Sequence, residues 1–258
     1  MIKAILFDIY GTLIDVQTDE YSLSTYEQIS RYLEYKHIYL SPDQLNWFYH
    51  EEFSRRLGPE PARPASLDDF KKFVKDNPRA YPEDDIRDVF KTILTRCCKA
   101  KQVDLEHMAT DLSHLFRSAT RRRMFIYPTI KHGLIVLGEK YRLGIVSNAQ
   151  EAFTPEELDL FGLRELFDTI VISSQVKLKK PNPAIFHVAL EKMAIAPHEA
   201  VFVGNDQTTD IMGAAAIGMW TIFIGRHSFS ITGVSPDATI ATPDPVEVLR
   251  IVEGWNKG

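Results

Sequence analysis

Short apolar runs separated by stretches of helical spacing shape most of this chain. Ala4-Ile5-Leu6-Phe7 stands near the start, and from Tyr127 onward residues 142–147, 169–173, 200–204 and 220–225 repeat the same β-branched texture. Between them, residues 132–141, 155–161, 183–193 and 210–217 carry apolar side chains at helical spacing, which predicts strands alternating with helices. Strands that are apolar throughout need cover on both faces, so the pattern predicts an α/β fold: a Rossmann-like parallel sheet with helices on both faces. Residues 238–240 would add a short last strand, and residues 246–255 a closing helix.

Residues 15–123 have a different texture, rich in Tyr, Glu, Arg and Lys and without convincing strand patterns. Helices are expected over 21–35, 42–57, 67–75 and 84–100, with Ser41-Pro42 and Ser66 as start signals. The organisation predicted is a core domain of residues 1–14 and 124–258, interrupted by an inserted all-helical cap domain of residues 15–123. Arg121-Arg122-Arg123 reads as a solvated hinge back to the core, and residues 58–64, rich in Pro and Gly, as a loop.

Polar residues at the strand ends carry the chemistry. Asp8 closes the first run beside a Gly-Thr turn, Ser147-Asn148 follows Gly-Ile-Val, Lys180 follows the next strand, and Asn205-Asp206 with Asp210 follows Val-Phe-Val. The carboxyl ends of parallel strands share one edge, so these groups can converge although far apart in sequence. Together they form a kit for displacing a group from a small anionic substrate. Asp8 attacks, Ser147, Asn148 and Lys180 bind the anion and neutralise developing charge, and Asp8 with Asp206 can hold Mg²⁺ against phosphate oxygens. Capping or surface roles explain each residue singly; their joint order points to a site.

In these motifs the chain resembles the haloacid dehalogenase superfamily of hydrolases. Phe7 to Leu13, which includes Thr12, is similar to its first motif, Val146-Ser147-Asn148 to the second, Lys180-Pro181 to the third, and Val203 to Asp210 with Gly213-Ala214 to the fourth. The resemblance implies a covalent aspartyl intermediate at Asp8, and a metal site drawing on Asp8, the main-chain carbonyl of Tyr10, Asp206 and Asp210. Members of the phosphatase branch carry a second Asp, the general acid and base, where this chain has Tyr10. An acid or base of that kind contributes roughly 10² to 10⁴ in rate. Asp-x-Tyr-Gly-Thr is instead similar to the metal-independent 2-haloacid dehalogenase branch, yet Phe186 stands where that branch has a tyrosine, and Asp206 stands in a stretch that is uncharged there. Asn205 takes the slot after Gly204 that usually holds Asp. Asp206 is assigned as the ligand and Asp210 as its support, with the reverse order open. Because Asp206 and Asp210 beside Asp8 would repel one another without a cation, the expectation is a Mg²⁺-dependent phosphohydrolase on a small phosphorylated metabolite. The alternatives are a 2-haloacid dehalogenase and a non-catalytic binding protein of the same fold.

Composition narrows the partners. Over 258 residues, 30 Lys and Arg stand against 35 Asp and Glu, so no broad positive field points to nucleic acid or an anionic membrane surface. No apolar run approaches the roughly 20 residues of a membrane span. The cysteines are the adjacent Cys97 and Cys98, expected on a helix and unable to staple distant parts of the fold, which fits a reducing, cytoplasmic setting. Arg31, Arg55 and Arg56 could grip a substrate carboxylate, although most helix arginines are simply solvated. Oligomeric state is left open.

Overall fold

The computed structural model describes residues 1–97, 104–226 and 231–258. In chain order its elements are β1 (Ala4–Phe7), β2 (Ile14–Thr18), α1 (Leu23–Glu34), α2 (Pro42–Leu57), α3 (Leu67–Asp76), α4 (Ile86–Cys97), α5 (Leu105–Thr120), β3 (Arg121–Ile126), α6 (Ile130–Gly138) and β4 (Arg142–Ser147). There follow α7 (Thr154–Leu160), β5 (Thr169–Ile172), α8 (Ser173–Val176), α9 (Pro183–Met193), β6 (Ala200–Gly204), α10 (Met212–Ala216), β7 (Trp220–Ile224), β8 (Ala238–Ile240) and α11 (Pro245–Lys257).

Six of these strands form one parallel sheet in the order β5-β4-β1-β6-β7-β8. The chain fills one half of the sheet outward from β1, then returns to fill the other half from β6. That reversal is the topological switch point at which open α/β sheets bind ligands. Side-chain alternation sorts the core into two layers. Ile5, Phe7, Val201 and Val203 face α6 and α11 through Leu134, Leu137, Val248 and Val252. Ala4, Leu6, Val146 and Phe202 face α9 through Ile185, Phe186, Ala189 and Leu190. Burial on both faces is why the strands read as unbroken apolar runs.

The helical insertion differs from expectation in three ways. First, its ends are strands: β2 and β3 form an antiparallel ribbon pairing Ile14 with Ile126 and Asp15 with Phe125. Arg121, Arg122 and Arg123 therefore lie in a strand, all three exposed, so that no apolar alternation marked it; Arg123 pairs with Asp15 at 2.8 Å and Arg122 with Asp19 at 3.3 Å. Second, α5 was not anticipated. Asp104 caps it by accepting from the His107 N–H, and Met108, Ala109, Leu112 and Phe116 bury one face. With α1, α2 and α4 it encloses a core around Tyr26, Tyr49, Phe90 and Leu94.

Third, α3 leaves that bundle. Its Phe70, with Tyr81, packs on Ile211, Met212 and Phe223 beside the sheet, and the Leu67 N–H donates to the Thr232 carbonyl at 3.0 Å. Helix α4 is described over Ile86–Cys97, starting two residues later than expected, and Cys98 with residues 99–100 of the expected helix lies outside the described residues. Among the described residues no helix is long and apolar enough to cross a membrane.

If α3 belongs to the core packing, Phe70→Ala should cost about 3–5 kcal/mol, the usual range for a buried Phe, when wild type and variant are unfolded in urea. A cost near zero would show that α3 merely rests on the surface.

Candidate active site

Pairing of β1 with β4 and β6 sets Phe7 opposite Ile145 and Val203, so Asp8, Ser147 and Gly204 emerge together at the carboxyl edge. The Asp8 N–H donates to the Val203 carbonyl at 3.0 Å, which extends the ladder by one residue and fixes where its side chain starts. Asp8 Oδ1 accepts from Ser147 Oγ at 2.8 Å and from Lys180 Nζ at 2.7 Å. Both donors converge on the same oxygen and so fix the rotation of the carboxylate.

Lys180 is 2% exposed, and its ammonium also lies 2.7 Å from Asp210 Oδ1. Burial works against its charge, but Asp210 and Asp8 outweigh burial and hold its pKa above the ordinary lysine value. Burial pushes the Asp210 carboxyl up to about 6, with Lys180 pulling the other way. At neutral pH Lys180 therefore stays a cation and Asp210 an anion. The repulsion expected between acids here is answered by Lys180 itself.

Asn148 anchors the lysine. Its side chain accepts from the Lys180 N–H at 2.7 Å and donates to the Lys180 carbonyl at 3.0 Å, so it positions the main chain of residue 180. Thr12, 1% exposed, donates from Oγ1 to Asn205 Oδ1 at 3.1 Å. Gly11, at φ +81°, leaves the space in which the Asn205 amide sits.

Asp206 and Asp210 differ in burial and in partners. The exposed Asp206 accepts at Oδ1 from the Thr208 and Thr209 N–H groups, capping the turn that follows β6. Asp210 is buried beside Lys180 and accepts the Asp206 N–H at 3.0 Å. Gly204 makes room for it, because a Cβ there would overlap the Asp210 carboxylate. Glycine at 204 is the sequence signal that could have identified Asp210 as the acid packed against the strand end.

Tyr10 turns away from Asp8. Its hydroxyl donates to Glu157 Oε2 at 2.5 Å and lies 3.1 Å from Thr154 Oγ1. Arg117 grips Glu157 with two hydrogen bonds, 2.7 and 2.8 Å, and lies over the Tyr10 ring. Burial, followed by Glu157, raises the phenol far above its ordinary value. Arg117 comes from α5 and Glu157 from α7, so this cluster ties the helical bundle to the sheet. Gln150 adds a second tie, accepting from the Ile86 N–H and donating to the Asp84 carbonyl. Sequence reading missed Arg117 because α5 was not anticipated, and Glu157 and Gln150 because their partners are far away in the chain. Arg55 and Arg56 are occupied by Glu52; Arg31 is exposed.

Among the described residues, no three His, Cys, Asp or Glu side chains are arranged to hold a metal ion. With Asp210 taken up by Lys180 and Asp206 by the turn it caps, Asp8 is the carboxylate left to offer an ion. That fits Mg²⁺, which commonly takes one or two carboxylates and completes its shell with water and substrate phosphate.

These strand ends can be compared with those of known proteins. Residues 62–224 match the haloacid dehalogenase-like hydrolase family, and the chain belongs to that family. It is 39% identical over 102 residues to a glyceraldehyde 3-phosphate phosphatase of Methanothermobacter thermautotrophicus, covering 39% of this chain and 45% of that protein. The chain spans about half the length of the first curated relatives it matches, 45% and 56%. Among solved structures, a haloacid dehalogenase-type phosphatase from Thermococcus onnurineus aligns with TM-score 0.57 and 25% identity over 98% of this chain and 99% of its own. A 2-haloacid dehalogenase from Pseudomonas syringae pv. Tomato aligns with TM-score 0.62 and 21% identity over 99% and 100%, a likeness of fold alone.

Removing the ammonium should expose the cost of the two acids. Lys180→Met is expected to lose about 3–5 kcal/mol in urea unfolding, as when one partner of a buried ion pair is removed. Adding Asp210→Asn to it should recover part of that loss. A double variant no more stable than the single would show that repulsion between the acids is not the cause.

Proposed function

We propose that this protein is a phosphohydrolase that cleaves a small phosphorylated metabolite through an aspartyl intermediate at Asp8. The observation that carries the reading is the pinning of Asp8 at the strand edge: Ser147 and Lys180 both donate to one carboxylate oxygen, and the other is the one left to act as nucleophile. The phosphatase names of its relatives supply the leaving chemistry. Residues 15–123 act as the cap over a core of residues 1–14 and 124–258, with α3 docked on the core side.

In this mechanism Asp8 Oδ2 attacks phosphorus while Lys180 and Ser147 keep the carboxylate from rotating. Lys180 also places positive charge next to the incoming phosphoryl group, and the Thr12–Asn205 contact holds the loops on either side of the nucleophile in register. Asp8 and the main-chain carbonyl of Tyr10 would hold Mg²⁺; Asp210 is engaged by Lys180, and Asp206 by the turn it caps. When bound, the ion would neutralise phosphate charge and polarise the phosphoryl group. Tyr10 serves as a brace between α7 and Arg117. Proton transfer to the leaving group therefore falls either to an activated leaving group that needs none, or to an acid from the cap side.

Phosphate release from p-nitrophenyl phosphate should depend on added Mg²⁺, cease with EDTA and be abolished by Asp8→Asn. No Asp8-dependent release across a panel of phosphate esters would overturn the reading. Dehalogenation is the second reading, favoured by the fact that Lys180 already neutralises the acids without a metal. Chloride release from 2-chloropropionate, insensitive to EDTA, would decide for it.

Tyr10→Phe should lower kcat by less than the roughly 10²-fold minimum typical of a lost acid or base. Stability should fall by about 1 kcal/mol, the net value of a hydrogen bond. A larger fall in kcat with an altered pH profile would make Tyr10 itself the proton donor.

A further inference from the structure

Between α3 and α4, residues 78–85 run as a strap antiparallel to the stretch that leads into Lys180, with Pro82 opposite Leu178. The Lys179 N–H donates to the Tyr81 carbonyl at 2.9 Å, and the Glu83 N–H to the Lys177 carbonyl at 3.1 Å. Beyond Lys180 a side chain takes over from the main chain. Asn182, 2% exposed, donates from Nδ2 to the Ala80 carbonyl at 2.7 Å and to the Pro78 carbonyl at 3.1 Å. Its Oδ1 accepts the Ala184 N–H at 2.9 Å and so caps α9. Capping needs only that oxygen, and Asp or Ser would supply it as well as Asn. The two amide protons serve the strap alone.

The strap thus grips the chain on both sides of Lys180, whose ammonium stands 2.7 Å from an oxygen of Asp8 and of Asp210. A lysine head rides on a flexible four-carbon stem, so its place depends on how firmly the main chain beneath it is held. Asn148 holds residue 180 itself, and the strap holds residues 179 and 182. The strap in turn is fixed at both ends. Phe70 of α3 packs on Ile211, Met212 and Phe223, and Gln150 bonds the Asp84 carbonyl and the Ile86 N–H where α4 begins.

Resting on the phosphohydrolase reading, we infer that Asn182 is a positioning residue of the reaction: by clasping the strap it fixes the segment that carries Lys180, and through Lys180 the nucleophile Asp8. Asn182 belongs to the core, and both carbonyls it holds belong to the insertion. The seat of the ammonium therefore depends on the insertion as well as on the sheet. Because α4 follows the strap directly, a displacement of the helical bundle pulls on the same bonds, and Lys180 is held in register only while the strap is seated.

The test compares wild type with Asn182→Ser and Asn182→Asp in the full chain, since both variants keep an oxygen to cap α9 and both lack the amide donors. On p-nitrophenyl phosphate with Mg²⁺, kcat should fall roughly 10- to 100-fold and KM should change less than about threefold, as a displacement of about 1 Å can cost roughly 10² in rate. Without substrate, amide hydrogen exchange should quicken by roughly tenfold at Lys179 and Glu83 and stay unchanged in β4, the mark of a local opening. Quickened exchange with kcat intact, or with a rise in KM alone, would overturn the assignment and leave the phosphohydrolase reading standing. Unchanged exchange at Lys179, or exchange quickened equally in β4, would do the same, the latter because the role would then be merely structural. Absence of Asp8-dependent turnover in wild type would overturn that reading and this one with it.

Discussion

One ammonium group organises the candidate site. Lys180 lies within 2.7 Å of both Asp8 and Asp210, almost wholly out of water. Burying ions is costly unless partners and hydrogen bonds replace the lost hydration, and here each charge meets an opposite one. The arrangement demands that three distant segments arrive together: the end of β1, the stretch after β5 and the turn after β6. The parallel sheet supplies that coincidence, and Asn148 adds the last adjustment by holding the main chain of residue 180 on both sides.

The sheet was legible in the sequence because its strands are buried on both faces. Apolar residues had nowhere else to point, and β1, β4, β6 and β8 fall where the runs stand. The insertion was harder to read for physical reasons. Strands β2 and β3 form an exposed ribbon whose arginines pair with Asp15 and Asp19 in solvent, so charge concealed the pleat. Helix α5 buries only one face, and its start signal, the capping Asp104, was not recognised. Helix α3 shares the texture of its neighbours but is claimed by Ile211, Met212 and Phe223, a long-range contact that no local pattern announces.

The site was legible in its members more than in their parts. Asp8, Ser147 and Lys180 meet as their strand-end positions suggested. Asp206 and Asp210, four residues apart, could not be ranked by spacing, because a tight turn decides which carboxylate faces inward. Asp206 caps that turn with its own side chain, and the missing side chain at Gly204 admits Asp210. Tyr10 shows the converse: its place in the chain suggested a reagent, but Glu157 and Arg117 recruit it as part of a polar joint between helix bundle and sheet.

The docking of α3 alters how the insertion can move. A flap joined to its base by two strands alone could swing as one body about that ribbon. This polypeptide is tethered again midway, at Phe70 and at the Leu67–Thr232 backbone bond, so rotation about the ribbon would strain the links on either side of the tether. Access to Asp8 therefore favours a sliding of α1, α2, α4 and α5 over a stationary anchor, a shear in place of a swing.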